Sequence, residues 1–232
     1  MPDTTDDLSL SETLEAAPEL LRTLKTGMAG RDVARLQLDL RRAGFDAGEI
    51  DGIYGSKTEA AVASFRKQHG ASGEGVATEL WAKIVEVAAR QRHGDLRDAA
   101  AEIEAQAAEL RTRASALEEQ AKAERDAGRP GPAGELMEDA GEVWIEGASA
   151  WEQAAELWIE AAHVIEPFGQ AGDDGWKAYA RHARAIDAAR NFAGRARTAF
   201  GRAGEDLGAA GSTDHVERIA AARAEARART AH

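Results

Sequence analysis

From Leu96 onward large apolar residues recur every seven positions, which restricts this part of the chain to long helices packed side by side. The first run is Leu96, Ile103, Leu110 and Leu117, interleaved with Ala100, Ala107, Ala114 and Ala121. The second is Leu136, Val143, Ala150, Leu157 and Val164, alternating with Ala140, Gly147, Ala154 and Ala161. The third is Tyr179, Ile186, Ala193, Phe200 and Leu207, alternating with His182, Ala189, Ala196 and Ala203. One large and one small position per heptad describes helices that approach closely through the small side. The connectors, 128–134 and 168–175, are short and full of glycine and proline, so successive helices run antiparallel. The spacing predicts helices over about 95–127, 135–167 and 175–209, each about 50 Å long. Ser212 to Asp214, with Glu217 completing a capping box, predict a fourth helix over about 213–229 with a basic end.

Charge is distributed unevenly over these helices. Between Arg129 and Lys177 there is no Lys or Arg but a run of acids, among them Glu135, Glu138, Asp139, Glu142, Glu146, Glu152, Glu156 and Glu160. The next helix carries Lys177, Arg181, Arg184, Arg190, Arg195, Arg197 and Arg202 against Asp187. The expectation is that these two helices pair through their charged flanks. Exposed pairs are worth about 0.2 to 1 kcal/mol each, so the pattern sets register more than stability.

Trp144, Trp151 and Trp158 stand seven apart and Ile165 continues the stripe, one residue to the side of the apolar seam. Two readings follow. Either a neighbouring helix covers the stripe and the tryptophans are core, or Trp144, Trp151, Trp158 and Ile165 form an exposed ridge for a partner or a second copy.

The first 90 residues have a different grammar. Val33, Leu36 and Leu40, with Gln37 beside them, give a short amphipathic helix that Asp32 begins and Gly44 follows as a left-handed cap. Asp51-Gly52 and Gly55 make a tight connection, and Ser56 with Glu59 forms a capping box before a helix that buries Ala61, Val62 and Phe65. Thr78 opens a third, burying Leu80, Trp81, Ile84 and Val87. In order and spacing, Gly30, Val33, Leu36-Gln37, Asp51-Gly52, Tyr54-Gly55, Thr58, Ala61-Val62, Phe65, Gly75 and Trp81 resemble the peptidoglycan-binding domain, a small three-helix module attached to many bacterial cell-wall hydrolases. Arg66 after Phe65, Glu74 before Gly75 and Leu80 before Trp81 depart from that family's pattern.

The resemblance implies noncovalent binding of peptidoglycan, with Gln37, Tyr54, Arg42 and Lys57 as candidate contacts. Asp51, Gly52, Gly55 and Thr58 suit turn and cap duty. For Gln37 and Tyr54 two readings stand: polar tips on flat bodies that hydrogen-bond and stack on a ligand, or a half-buried amide and a ring covering the core.

Composition bounds the function. The chain has 232 residues, 30% charged, with a net charge of −12. An acidic chain lacks the basic footprint that nucleic acids and anionic membranes need, so neither is expected as a partner. It has no cysteine, which excludes disulfides, thiolate nucleophiles and Cys-ligated zinc. No spacing of His and Glu supplies the zinc pair of an amidase, and acidic pairs such as Glu118-Glu119 belong to solvated helix faces, so no catalytic residue, metal or cofactor is expected. Met1 to Pro18 is acidic and polar, without the basic start and apolar core of a signal peptide, and no stretch reaches the roughly 18 apolar residues of a membrane span. Synthesis in the cytoplasm is the corresponding expectation.

The expected architecture is all-α. An acidic arm at 1–23, with a short helix over about 10–22, precedes a peptidoglycan-binding-like module at about 24–90 and an antiparallel helical bundle over 95–232. The expected function is a non-catalytic wall-binding protein whose bundle docks it, through a protein partner or by self-association, to a larger assembly such as a phage-like particle or contractile injection machine. Two alternatives are a cytosolic scaffold in which the module contacts proteins, and an accessory subunit that brings a separate hydrolase to the wall.

Overall fold

A computed structural model describes residues 22–168, 172–211 and 216–229. Among them the chain is all-α: α1 (Arg31–Arg42), α2 (Ser56–His69), α3 (Thr78–Asp126), α4 (Pro130–Ile165), α5 (Gly172–Ala209) and α6 (Val216–Arg229). Two isolated antiparallel bridges, Leu24 with Val76 and Ala29 with Ile53, tie the loops of the N-terminal part. The helix expected over about 10–22, apart from Arg22, and the cap residues Ser212 to Asp214 lie outside the described residues. Among the described residues no helix is long and apolar enough to cross a membrane.

The chain divides into two compact units. One holds the residues up to Leu96 together with Glu160–Lys177; the other holds Arg97–Ile159 and the residues from Ala178 onward. The third helix expected in the module and the first expected in the bundle are a single helix, α3, 49 residues long. Gly94 alone costs a helix only about 1 kcal/mol, and the stretch around it contains no proline. His93 anchors the spot, its Nδ1–H donating to the Ala161 carbonyl at 2.9 Å, while Arg92 pairs with Glu160 at 2.9 Å. Helix α4 also starts earlier than the glycine and proline of 128–134 suggest. Pro130 and Pro132 occupy its first turn, where the missing N–H groups have no intrahelical partner in any case.

The core of the first unit forms from Leu24, Val33, Leu36, Leu40, Tyr54, Val62, Phe65, Val76, Trp81 and Ile84, with Phe168 packed against it. Gly44 takes the expected positive φ, 86°, after α1. The capping box at Ser56 is not made: Gly55 is the N-cap residue of α2 and no side chain caps the helix.

In the second unit α3 and α5 run parallel to each other and antiparallel to α4. The alanine side is the centre of contact, since Ala100, Ala107, Ala114 and Ala121 of α3 are fully buried whereas Leu110 and Leu117 are only partly covered. Glycines of α4 sit opposite large residues of α5: a Cβ on Gly141 would fall 2.6 Å from the Phe200 ring, and one on Gly147 would fall 2.4 Å from Phe192. Each such glycine costs helix propensity, yet an alanine there would collide with a buried ring.

Burial selects the core reading for the tryptophan stripe. Trp144 is 1% exposed, Trp158 and Ile165 are buried, and Trp151 is partly covered, so the exposed-ridge expectation is corrected. The tryptophans stay amphipathic inside. Trp144 Nε1–H donates to Glu118 at 2.8 Å, and the Arg195 guanidinium lies 5.0 Å from its ring centroid and 3.6 Å from the same Glu118 carboxylate. Two heptads along, Trp158 donates to Glu104 at 2.8 Å, and Arg181 stands 5.7 Å from its ring and 3.5 Å from Glu104. Among the ion pairs of the described residues the charged flanks do not meet as expected: these arginines of α5 meet acids of α3, while Glu152 and Glu160 of α4 pair with Arg229 and Arg92.

The layer between the two triads is incomplete. Heptad arithmetic places Arg111 where Glu104 and Glu118 stand and Ala188 where Arg181 and Arg195 stand, and the buried Trp151 Nε1–H has no hydrogen-bond partner. The double substitution Arg111→Glu with Ala188→Arg supplies the acceptor and its counter-charge. It is expected to stabilise the protein by about 1 to 2 kcal/mol, read as a higher urea midpoint. An unchanged or lower midpoint would mean that the middle layer does not repeat its neighbours.

Candidate functional site

The loop from Asp46 to Gly55, joining α1 to α2, is held from inside by one side chain. Gln37 projects from the apolar face of α1 and is only 2% exposed. Its Nε2 group lies within donating distance of Asp51 Oδ1 at 2.9 Å, the Ile53 carbonyl at 3.0 Å and Thr58 Oγ1 at 3.1 Å, and its Oε1 accepts the Gly52 N–H at 2.9 Å. One amide thereby ties the first helix, the loop and the second helix together. Asp51 also accepts the Ile53 N–H at 2.8 Å, and with Gln37 as the leading cause these bonds hold its carboxyl below the ordinary aspartate range. Gly52 has φ of 72°, and a Cβ there would press on the Gly30 carbonyl, whose residue donates its own N–H to Gly52. Only glycine fits that crossing.

A second buried polar contact orients α3 against α1. Asp39, fully buried, accepts Trp81 Nε1–H at 2.7 Å and pairs with Arg35 at 3.1 Å. Burial pushes its carboxyl up, opposed by Trp81, Arg35 and the nearby charge of Arg42. Arg66, which departs from the pattern of the resembled family, donates to the Gly75 carbonyl and so fastens the loop before α3.

The four residues expected as ligand contacts do not share one surface. Of the two readings open for Gln37 and Tyr54, burial selects the one inside the fold. Tyr54 is 3% exposed in the apolar core, with its hydroxyl pKa raised chiefly by burial. Arg42 is half-buried. Lys57 alone is fully on the surface, its aliphatic stem lying over Gly48.

What the loop does present outward is a pair of isoleucines. Ile53 is 54% exposed and Ile50 is 41% exposed, on either side of Asp51 in the chain, and Lys57 at the start of α2 is exposed too. Arg41 holds this edge in place by donating to the Gly48 carbonyl at 2.7 Å. Two exposed large apolar side chains thus stand on a loop that is fixed from beneath.

Residues 29–83 match the family model of the putative peptidoglycan binding domain. This segment is a peptidoglycan-binding-type module, and the match spans α1, α2, both intervening loops and the first turns of α3. Comparison with curated proteins and with solved structures finds no match to the chain. Within the peptidoglycan-binding module the motif residues mostly build the fold: Asp51, Gly52 and Thr58 are partners of Gln37, and Trp81 is the partner of Asp39. Ile50 and Ile53 escape a reading based on polar side chains. Their signal is the placing of large apolar residues in a loop bounded by Gly48 and Gly55, where the core claims neither.

Proposed function

We propose that the chain is a non-catalytic peptidoglycan-binding protein that holds murein on the outer face of the α1–α2 loop, through Ile50, Ile53 and Lys57. The match of residues 29–83 to the peptidoglycan-binding family carries this reading. The exposed isoleucines offer the apolar surface on which sugar faces and peptide methyl groups pack, and Lys57 offers a cation to a stem-peptide carboxylate. In this proposal the helical unit joins the module to a larger assembly, with a phage-like particle or contractile injection machine as the candidate.

The test is co-sedimentation of the full chain with purified insoluble sacculi. The wild type is expected to pellet with the wall, and Ile53→Ser combined with Lys57→Glu is expected to weaken retention by about tenfold, in keeping with the loss of one covered apolar side chain and one ion pair. Both positions are exposed, so the variant should keep the helical circular dichroism of the wild type. A folded wild type that stays in the supernatant would end the wall-binding reading. Retention equal in both proteins would place the contact elsewhere on the module.

A further inference from the structure

Independently of wall binding, we infer that the second unit carries a self-complementary electrostatic interface, in which the acidic face of α4 from one copy of this chain occupies an arginine-lined cleft between α5 and α6 of another. The cleft measures about 1090 Å³, and among the described residues Arg197, Arg202, Arg223 and Arg227 stand on its walls with Glu205 as the one acid. Its floor is small and apolar. Gly201 and Gly204 leave the helix surface low, and the Arg223 guanidinium lies over Gly201, where no side chain displaces it. Arg197, Arg202 and Arg223 are exposed and form no ion pair among the described residues. Elsewhere on these helices Arg181 and Arg195 meet Glu104 and Glu118, and Arg229 meets Glu152.

The complement lies on α4. Glu135, Asp139, Glu142 and Glu146 fall at i, i+4, i+7 and i+11, which is one face of a helix, and all four are exposed without an ion pair. This acidic face is about 16 Å long at 1.5 Å per residue, a length comparable with the α5 wall of the cleft from Arg197 to Leu207. No Lys or Arg interrupts α4. A trough between two helices with a low glycine floor accepts the ridge of a third helix, which favours an acidic helix over a flexible polyanion. An overall charge of −12 also repels phosphate polymers at long range, whereas the α4 face satisfies the cleft locally.

Exposed ion pairs of this kind make a weak contact that depends on salt. The full chain is therefore expected to self-associate at low ionic strength in sedimentation velocity and to return to monomer at about 0.5 M salt, where charges are screened within a few ångströms. Reversing the cleft with Arg202→Glu and Arg223→Glu should weaken association at least tenfold, and so should Glu142→Arg with Glu146→Arg. Mixing the two reversed proteins should restore a complex, because the acidic cleft of one then meets the basic ridge of the other. All four positions are exposed, and circular dichroism checks that each variant is folded. A wild type that stays monomeric at low salt overturns the proposal, as does a mixture of reversed proteins that fails to associate. Cleft-dependent binding of a short-chain polyphosphate, with no self-association, would assign the arginines to an anionic polymer and overturn it equally.

Discussion

Replacing Trp144 by alanine is expected to lower the stability of the helical unit by about 3 to 5 kcal/mol, a large part of the stability of an ordinary domain. The ring is 1% exposed, packs edge-on to Phe192 at 4.9 Å between centroids, and lies in the cluster that includes Met137, Val143 and Phe200. Its removal leaves a cavity that the neighbouring helices cannot close, because α4 already meets the rings of α5 at its glycines. It also withdraws the N–H donor from Glu118 and the aromatic face from Arg195, leaving that pair alone at the edge of the seam. Trp144→Phe separates the two contributions. It keeps most of the volume and the face under Arg195, and should cost about 1.5 to 3 kcal/mol for the lost bond to a carboxylate and some packing. Urea unfolding followed by circular dichroism gives both values. A phenylalanine variant as unstable as the alanine one would assign the effect to the hydrogen bond; an alanine variant within about 1 kcal/mol of wild type would mean that the stripe is not core.

The heptads and the motif made most of this legible in advance, and the misses share a cause. Alanine and glycine at alternate seam positions announced close helices, and Ala100, Ala107, Ala114 and Ala121 are fully buried. A periodicity does not say where a helix starts, however. The single helix through Gly94 and the start of α4 at Pro130 depend on what the backbone meets in three dimensions: His93 against the Ala161 carbonyl in one case, a proline tolerated in a first turn in the other. Charge runs showed that the flanks differ in sign but not which helix answers which. Arg181 and Arg195 reach α3 because Glu104 and Glu118 also accept the tryptophan N–H groups, so each carboxylate there has two partners. The surface proposed for binding was the least legible part. Conspicuous polar residues in an apolar stretch attract attention as ligand contacts, and Gln37 is conspicuous because it organises the loop that carries the exposed Ile50 and Ile53.

Gln37→Ala is accordingly expected to act on binding through the fold. The substitution leaves the buried Gly52 N–H without its acceptor and removes the donor to Asp51, the Ile53 carbonyl and Thr58, and it opens a cavity of side-chain size. An unsatisfied buried donor costs about 1 to 3 kcal/mol and the cavity adds to it, so a loss of about 2 to 4 kcal/mol is expected in the module. Acid dependence distinguishes this from a general loss of packing. The native Asp51 carboxyl titrates below its unfolded value, chiefly because of Gln37, so its contribution is present above the unfolded aspartate pKa and is lost as pH falls through the native one. Asp39 works in the opposite direction: its raised native pKa makes the buried charge a cost at neutral pH, relieved as pH falls through that raised value. Gln37→Ala should therefore flatten the fall in thermal midpoint attributable to Asp51 below about pH 4, while leaving the Asp39 limb at higher pH unchanged. Sacculus retention should drop together with the ordering of the loop, although Gln37 itself is sealed from solvent. If retention and the acid limb were both untouched while stability fell, the isoleucine face would not depend on the amide beneath it, and the wall contact would have to be sought away from the α1–α2 loop.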